Sequence, residues 1–390
     1  MGSFNPNSAP ATRPPLPPPI RACIFDMDGL LIDSEDKYTL VTNTILRENG
    51  RPDLPWHIKA QLQGRPGPAA GKIFHDWARL PISRDRFQER LVELQAEAFQ
   101  HCKPLPGVED LLRRLQNAYT MEIDNQTKSK IGGGGGGEVN INVGKETAQT
   151  QTQTQNQRPR VHLALATSSH SRNYEIKTAN MQRLFGVFPD PHKILGDDPR
   201  IPTGRGKPLP DIYLLALQAI NDTIRAQDPN ARPIEPSECL VFEDSVPGVE
   251  AGRRAGMRVV WCPHPQLLDV YRGREDEVLA GRTGEHKEEE DRDNHHAEEE
   301  KGIPIAGSPG QPGELGDGWA ELLRSLEDFD YAKYGLEVDE TGAAHTTIQD
   351  QAATDATTDK ALEEMTAMAD GKQHAPEEPP SVPTPVPSMT

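Results

Sequence analysis

Short apolar runs, each ending on polar residues, alternate along the chain with stretches of helical spacing. Ile20 to Phe25 is one such run and stops abruptly at Asp26-Met27-Asp28-Gly29. A buried parallel strand has this character, because it delivers polar groups at its carboxyl end. Val161 to Ala166, Lys193 to Leu195, Cys239 to Phe242 and Arg258 to Trp261 read the same way. Helical patterns run over Gly107 to Leu115, Ile212 to Ile220 and Val249 to Ala255, and Trp319 to Leu326 reads as a last amphipathic helix. From Glu35 to about Cys102 the apolar positions fall three and four apart, as in Tyr38, Val41, Ile45 and in Phe87, Leu91, Leu94. That spacing predicts an all-helical unit inserted after the first strand. The alternation as a whole predicts an α/β fold: a doubly wound parallel sheet covered on both faces, with a helical cap over residues 35–102.

The periodicity fails in four places. Residues 1–19 are Pro-rich, residues 119–158 hold six consecutive glycines and the run TAQTQTQTQNQ, residues 274–315 are charged low complexity, and residues 338–390 are polar and Pro-rich. Such compositions bury too little apolar surface to fold, so the core is expected in 20–34 and 103–337 without the two insertions. The 36 prolines, 33 glycines and 35% hydrophobic content agree that much of the 390 residues lies outside a core. Charge sharpens the division. Residues 274–390 carry 9 basic and 29 acidic side chains, whereas 21–118 carry 14 of each and 159–273 carry 14 and 13. The overall −18 therefore belongs to the C-terminal third and does not describe what the core binds.

Cys23, Cys102, Cys239 and Cys262 are scattered without CxxC spacing, which predicts a reduced, intracellular protein. There is no apolar leader and no uncharged stretch of the roughly 18 residues a membrane span needs. A cytoplasmic protein with nuclear access open follows, with no membrane or nucleic-acid partner and a monomer as the expectation. The Asn125 glycosylation sequon reads as chance, and His295-His296, set in an acidic run, as solvated rather than metal-binding.

The chemistry sits at the ends of the predicted strands. Asp26 and Asp28, two residues apart after a strand, can face one substrate group, as a nucleophile beside a general acid/base would. Alone, two such acids more often form a cap or turn. Thr167-Ser168-Ser169 follows the second strand, Lys207-Pro208 a Gly-rich turn, and Glu243-Asp244 a later strand. Each has an ordinary alternative: a helix cap for Thr167, a surface lysine for Lys207, the N-cap region of the helix near Pro247 for Asp244. Carboxyl ends of neighbouring parallel strands converge on one crevice, however. The four together supply two acids, hydroxyls and amides for phosphate oxygens, one fixed cation and an acidic pair for a metal.

The segments FDMDGLLIDSE, LALATSS, LGDDP, GKPLPDIYLLA and CLVFEDSVPGVEAGRRAGMRVV resemble the signature motifs of the haloacid dehalogenase superfamily, in its subgroup with a small helical cap. The resemblance covers about residues 20–118, 159–273 and 316–337. It implies Asp26 as nucleophile and metal ligand, and Asp28 as acid/base with its main-chain carbonyl on the metal. It further implies Thr167 with Ser168 and Ser169 around a phosphoryl oxygen, Lys207 as the neutralising cation, and Glu243 and Asp244 completing a Mg²⁺ site. The implied reaction is hydrolysis of a small soluble phosphomonoester, such as a nucleotide, sugar or polyol phosphate, through an aspartyl-phosphate. In the cap, Gln63-Gly64-Arg65 matches the substrate-specificity loop, so Gly64 and Arg65 are expected at the substrate.

The chain departs from the family at two points. Tyr38 stands where the phosphomutase relatives carry a histidine, which weakens the alternative of a phosphomutase, and Leu209 stands where the lysine motif commonly has Asp or Ala. A further alternative, a non-catalytic scaffold acting through the acidic tail, is opposed by the intact set of Asp26, Asp28, Lys207 and Asp244.

Overall fold

In the computed structural model the described residues are 17–65, 67–121, 159–284 and 313–338. The expectations for most of the Pro-rich arm, for the Gly/Gln-rich block with Asn125, for the run with His295-His296 and for the tail lie outside them.

The strands in chain order are β1 (Ala22–Phe25), β2 (Tyr119–Thr120), β3 (His162–Ala166), β4 (Lys193–Ile194), β5 (Cys239–Glu243), β6 (Arg258–Trp261), β7 (Ala320–Leu322) and β8 (Leu336–Glu337). Six of them form one sheet in the order β4-β3-β1-β5-β6-β7, every neighbouring pair parallel. The central strands read as continuous apolar runs because both faces are covered. Alternate residues serve opposite cores. Phe25, Leu163, Leu165, Leu240 and Phe242 face one, and Ala22, Ile24, Ala164, Ala166 and Val241 face the other. On the first face Phe25 and Phe242 stack at 4.4 Å.

Register decides where the chemistry falls. Phe25 is level with Leu165 on one side and Phe242 on the other. The next residue of each strand, Asp26, Ala166 and Glu243, therefore emerges at the same edge of the sheet. Asp26 N still donates to Phe242 O at 3.0 Å, so the nucleophile candidate is held by the last rung of the ladder.

The cap is helical, as predicted: α1 (Ser34–Glu48), α2 (Trp56–Leu62), α3 (Gly67–Ala78) and α4 (Arg84–Ala98). Val41, Ile45, Phe87 and Leu94, four of the six periodic positions, are buried. The core helices that matter for the site are α5 (Val108–Gln116), α6 (Ser171–Thr178), α7 (Gln182–Phe185), α8 (Asp211–Gln227) and α9 (Val246–Arg254). Trp56 of α2 stacks on His264 of the core with ring centroids 4.6 Å apart, which seats the cap on the sheet edge.

Two expectations need correction. Trp319 to Leu326 is not a helix: Ala320–Leu322 pairs parallel with β6 as an edge strand, Val260 level with Glu321. A free row of donors and acceptors on β6 outweighs the local three-four spacing of a short segment. The second insertion also begins later than residue 274. Pro265–Val270 forms α10 and Glu275–Ala280 forms α11, in which Val278 is fully buried. No helix among the described residues is long and apolar enough to cross a membrane.

Candidate active site

Asp26 and Asp28 leave β1 on a tight turn whose Gly29 has φ +77°. A Cβ there would overlap Asp244 Oδ2 and come within 2.7 Å of Glu35 Cγ, so only glycine lets this backbone lie against Asp244. Thr167, Ser168 and Ser169 follow β3, and Thr167 N donates to Ile194 O at 3.0 Å. Lys207 precedes α8. Glu243 ends β5, and Asp244 stands just before α9, whose N-cap Ser245 accepts a hydrogen bond from Gly248 N.

Three of these groups meet in a buried charge cluster. Lys207 Nζ donates to Asp26 Oδ1 at 2.5 Å and to Glu243 Oε1 at 2.6 Å. Glu243 Oε1 also accepts from Tyr213 OH (2.5 Å), and its Oε2 accepts from Ser245 N and Oγ, both at 3.0 Å. The two oxygens of Glu243, expected to serve a metal, are thus occupied by protein donors. One lysine shared by two carboxylates neutralises one of them. Burial, reinforced by Glu243 and Asp28 and opposed by Lys207, accordingly pushes the Asp26 carboxyl up to about 7. Burial beside Glu243, Asp26 and Glu35 carries Asp244 well above the usual carboxylate range.

Asp28 sits differently. Its Oδ1 accepts from Ser34 Oγ at 2.6 Å and from Lys177 Nζ, and its Oδ2 accepts from Ser169 Oγ at 2.6 Å, with Thr167 Oγ1 3.5 Å away. Burial favours the neutral acid, but Lys177 and the hydroxyl donors outweigh it and hold the carboxyl below its ordinary value.

The cap reaches the same place. Gln63 Nε2 donates to Asp244 Oδ2 at 2.5 Å, and Gly64 O accepts from Ser168 Oγ at 3.4 Å. Gly64 has φ +73°, and a Cβ on it would overlap Ser245. Arg65 follows half-buried, its amide donating to Leu62 O at 3.2 Å. The geometry therefore gathers Asp26, Asp28, Thr167, Ser168, Ser169, Lys207, Glu243, Asp244 and Gly64, with Arg65 one residue further along. Sequence reasoning missed Lys177, Tyr213, Ser34 and Gln63. Ser34 and Gln63 lie inside the quoted motif and loop and could have been found there. Tyr213, in the first turn of α8, also lies inside a quoted segment, GKPLPDIYLLA, whereas Lys177, near the C-terminal end of α6, carries no local signal.

Among the described residues no three His, Cys, Asp or Glu side chains form a metal-binding group. Magnesium rarely needs three: one or two carboxylates, with waters and substrate phosphate, complete its octahedron. Asp26 and Asp244 fit that demand. Both are buried carboxylates in a cluster with more negative charge than Lys207 offsets, and both have their ionised forms disfavoured by it. A hard dication cancels such an excess.

A family model described as haloacid dehalogenase-like hydrolase matches residues 143–256, and a second of the same description matches residues 23–126. An uncharacterized protein of Schizosaccharomyces pombe is 36% identical over 66% of this chain and 86% of its own. A probable pseudouridine-5′-phosphatase of Saccharomyces cerevisiae is 36% identical over 82% of this chain and 99% of its own. Among solved structures, a putative β-phosphoglucomutase of Thermotoga maritima shares 26% identity over 64% of this chain and 91% of its own, with a TM-score of 0.39.

Proposed function

The chain belongs to the haloacid dehalogenase-like hydrolases and is a phosphoric monoester hydrolase; from that premise we propose that it is a Mg²⁺-dependent phosphatase working through an aspartyl-phosphate on Asp26. We infer a small soluble alkyl phosphate as substrate, with pseudouridine 5′-phosphate first among candidates because the relative that this chain covers almost end to end carries that name.

The observation that supports this reading best is the contact of Lys207 with Asp26 at 2.5 Å inside a buried cluster. A carboxylate attacks a phosphate dianion only where the repulsion between them is offset. Lys207 supplies one positive charge, and Glu243, itself held by Tyr213 and Ser245, fixes where that charge stands. Glu243 is thus a positioning residue for Lys207 rather than a metal donor. Asp26, Asp244 and the Asp28 carbonyl are the groups that would hold Mg²⁺, which when bound neutralises the phosphoryl oxygens.

Thr167 and Ser168 would donate to those oxygens, while Ser169, whose hydroxyl proton goes to Asp28 and whose amide goes to Thr167 Oγ1, would hold the neighbouring groups in place. Asp28, a carboxylate in the state described, gains proton affinity when a phosphate dianion settles beside it. It then protonates the leaving oxygen, and afterwards takes a proton from the water that hydrolyses the aspartyl-phosphate.

The test is phosphate release from a panel of phosphomonoesters with Mg²⁺ and with EDTA, on the wild type and Asp26→Asn. Turnover is expected with Mg²⁺ only, and Asp26→Asn is expected to lose on the order of 10⁴-fold or more, as nucleophile deletions do. Appreciable turnover by Asp26→Asn would end the covalent mechanism, and full activity in EDTA would end the metal assignment. Release from nucleobase-free sugar or glycerol phosphates alone would replace the substrate.

A further inference from the structure

Lys177 is a buried cation on the acid/base carboxyl that no motif accounts for. It lies on α6, is 1% exposed, and its ammonium has three partners: Asp28 Oδ1, Ser169 Oγ at 2.8 Å and Tyr38 OH at 3.0 Å. It also lies 4.6 Å from the ring centroids of both Tyr38 and Phe99. These partners come from the β1 turn, the loop after β3, helix α1 of the cap and the short turn that follows α4. Burying an ammonium is costly unless every proton finds a partner, and here every proton does.

We propose that Lys177 is a positioning residue for the acid/base carboxyl: it pins Asp28 Oδ1 and, through Ser169, Oδ2, so that the carboxyl has one orientation when substrate arrives. This rests on the reading of Asp28 as the acid/base. Ser169 Oγ donates to Asp28 Oδ2 while accepting from Lys177, and Ser34 Oγ donates to Oδ1, so the contacts form a closed set. Without Lys177, Asp28 keeps only hydroxyl partners, which rotate. Tyr38 OH, in turn, anchors the ammonium from the cap side.

In the first half-reaction a bond forms from an Asp26 oxygen to phosphorus and the bond to the leaving oxygen breaks, that oxygen taking the proton of the Asp28 carboxyl. In the second, water attacks the phosphoryl group on Asp26 and gives a proton to the Asp28 carboxylate, and the Asp26 carboxylate is restored as phosphate departs. Lys177 remains an ammonium throughout. Only the proton transfers depend on where Asp28 points.

Leaving-group dependence separates this role from a merely structural one. An aryloxide such as p-nitrophenolate departs without a proton, whereas an alkoxide does not. The parameter kcat/KM reports the steps through departure of the leaving group.

Lys177→Met, which keeps the chain length against Tyr38 and Phe99, is expected to lower kcat/KM about 10²-fold for the fastest alkyl phosphate of the panel. For p-nitrophenyl phosphate the change should stay within about threefold, the scale of one hydrogen bond's loss or less. Equal losses for both, or none for either, overturn the inference. Should that variant not fold, Tyr38→Phe removes only the anchor and is expected to cost about fivefold for the alkyl ester alone; an equal effect on both esters is again fatal. Asp28→Asn serves as the control. If it fails to discriminate between the esters, the acid/base reading itself falls; if it discriminates and Lys177→Met does not, only the role of Lys177 falls.

Discussion

Gly64 sets how closely the cap descends on the core, since its α-carbon rests against Ser245, the residue that caps α9. Gly64→Ala combines an unfavourable positive φ with a methyl group where Ser245 stands, and the cap loop must lift away. A misplacement of about 1 Å costs about 10²-fold in catalysis, so kcat/KM is expected to fall by that order with circular dichroism unchanged. Wild-type kinetics in the variant would mean that the closed arrangement is not the working one. The positions that could be read in advance share a property with Gly64: they stand immediately after an apolar run or inside a turn with its own chemistry. Asp26, Asp28, Thr167, Glu243 and Asp244 follow strand ends, and Lys207 follows a Gly-rich turn. Lys177 lies inside SRNYEIKT, a mostly polar stretch where a lysine reads as solvated, and only packing beneath Tyr38 and Phe99 buries it. Glu243 was found, but its occupied oxygens depend on Tyr213, thirty residues away in sequence, and no spacing rule reports that.

At the scale of elements, strands were legible where both faces are apolar and less so at the edges. Arg258–Trp261 emerges with its predicted bounds, whereas β7 carried a helical pattern and became a strand because β6 offered it a ladder. The inner strands have a testable titration. His162 on β3 is pushed down to about 4 by burial, then by His192 and Arg21, and burial also lowers His192, whose Nδ1 meets Leu163 O at 3.1 Å. A histidine with a folded-state value below its unfolded value, roughly 6.5, binds fewer protons folded than unfolded. Stability is then full above about 6.5 and declines as the pH falls toward 4. Carboxylates held low, such as Asp28 and Asp198, give way only near and below their unfolded value of roughly 4. Asp26, at about 7, and Asp244, held high, instead bind protons in the folded state across pH 7 to 5 and add stability there, so the histidine contribution is read from the difference between wild type and a histidine variant. Thermal melts across that window are expected to show that acidification lowers the Tm of the wild type relative to that of His162→Gln. Parallel slopes would remove β3 as the source.

At the scale of the molecule, the chain leaves the core and returns to it at the same points. Thr120 N donates to Pro159 O at 3.0 Å and Tyr119 bridges Arg160, so the ends of the segment 122–158 meet as neighbours on adjoining strands. Arg282 holds Gly313 O and Glu314 Oε1, both at 2.5 Å, and closes the segment between them in the same way. Among the described residues, Asp26, Asp28, Lys207, Glu243 and Asp244 find their partners at the ends of β1, β3 and β5, on α6 and α8, at the N-cap of α9 and in the cap. Replacing 124–156 and 288–310 by about four residues each, and removing 1–15 and everything after 340, should therefore leave kcat/KM within about twofold. Pro18 must stay, because Arg258 donates to its carbonyl. Loop closure costs about 0.6 kcal/mol per doubling of length, so an eightfold shortening of the first segment is worth ~2 kcal/mol on entropy alone. That predicts a Tm raised by several degrees, measured by calorimetry beside the activity assay. A shortened chain that folds with the higher Tm but turns nothing over would place substrate capture or assembly in the excised segments, and would show that the cluster at the strand ends is not sufficient for the reaction.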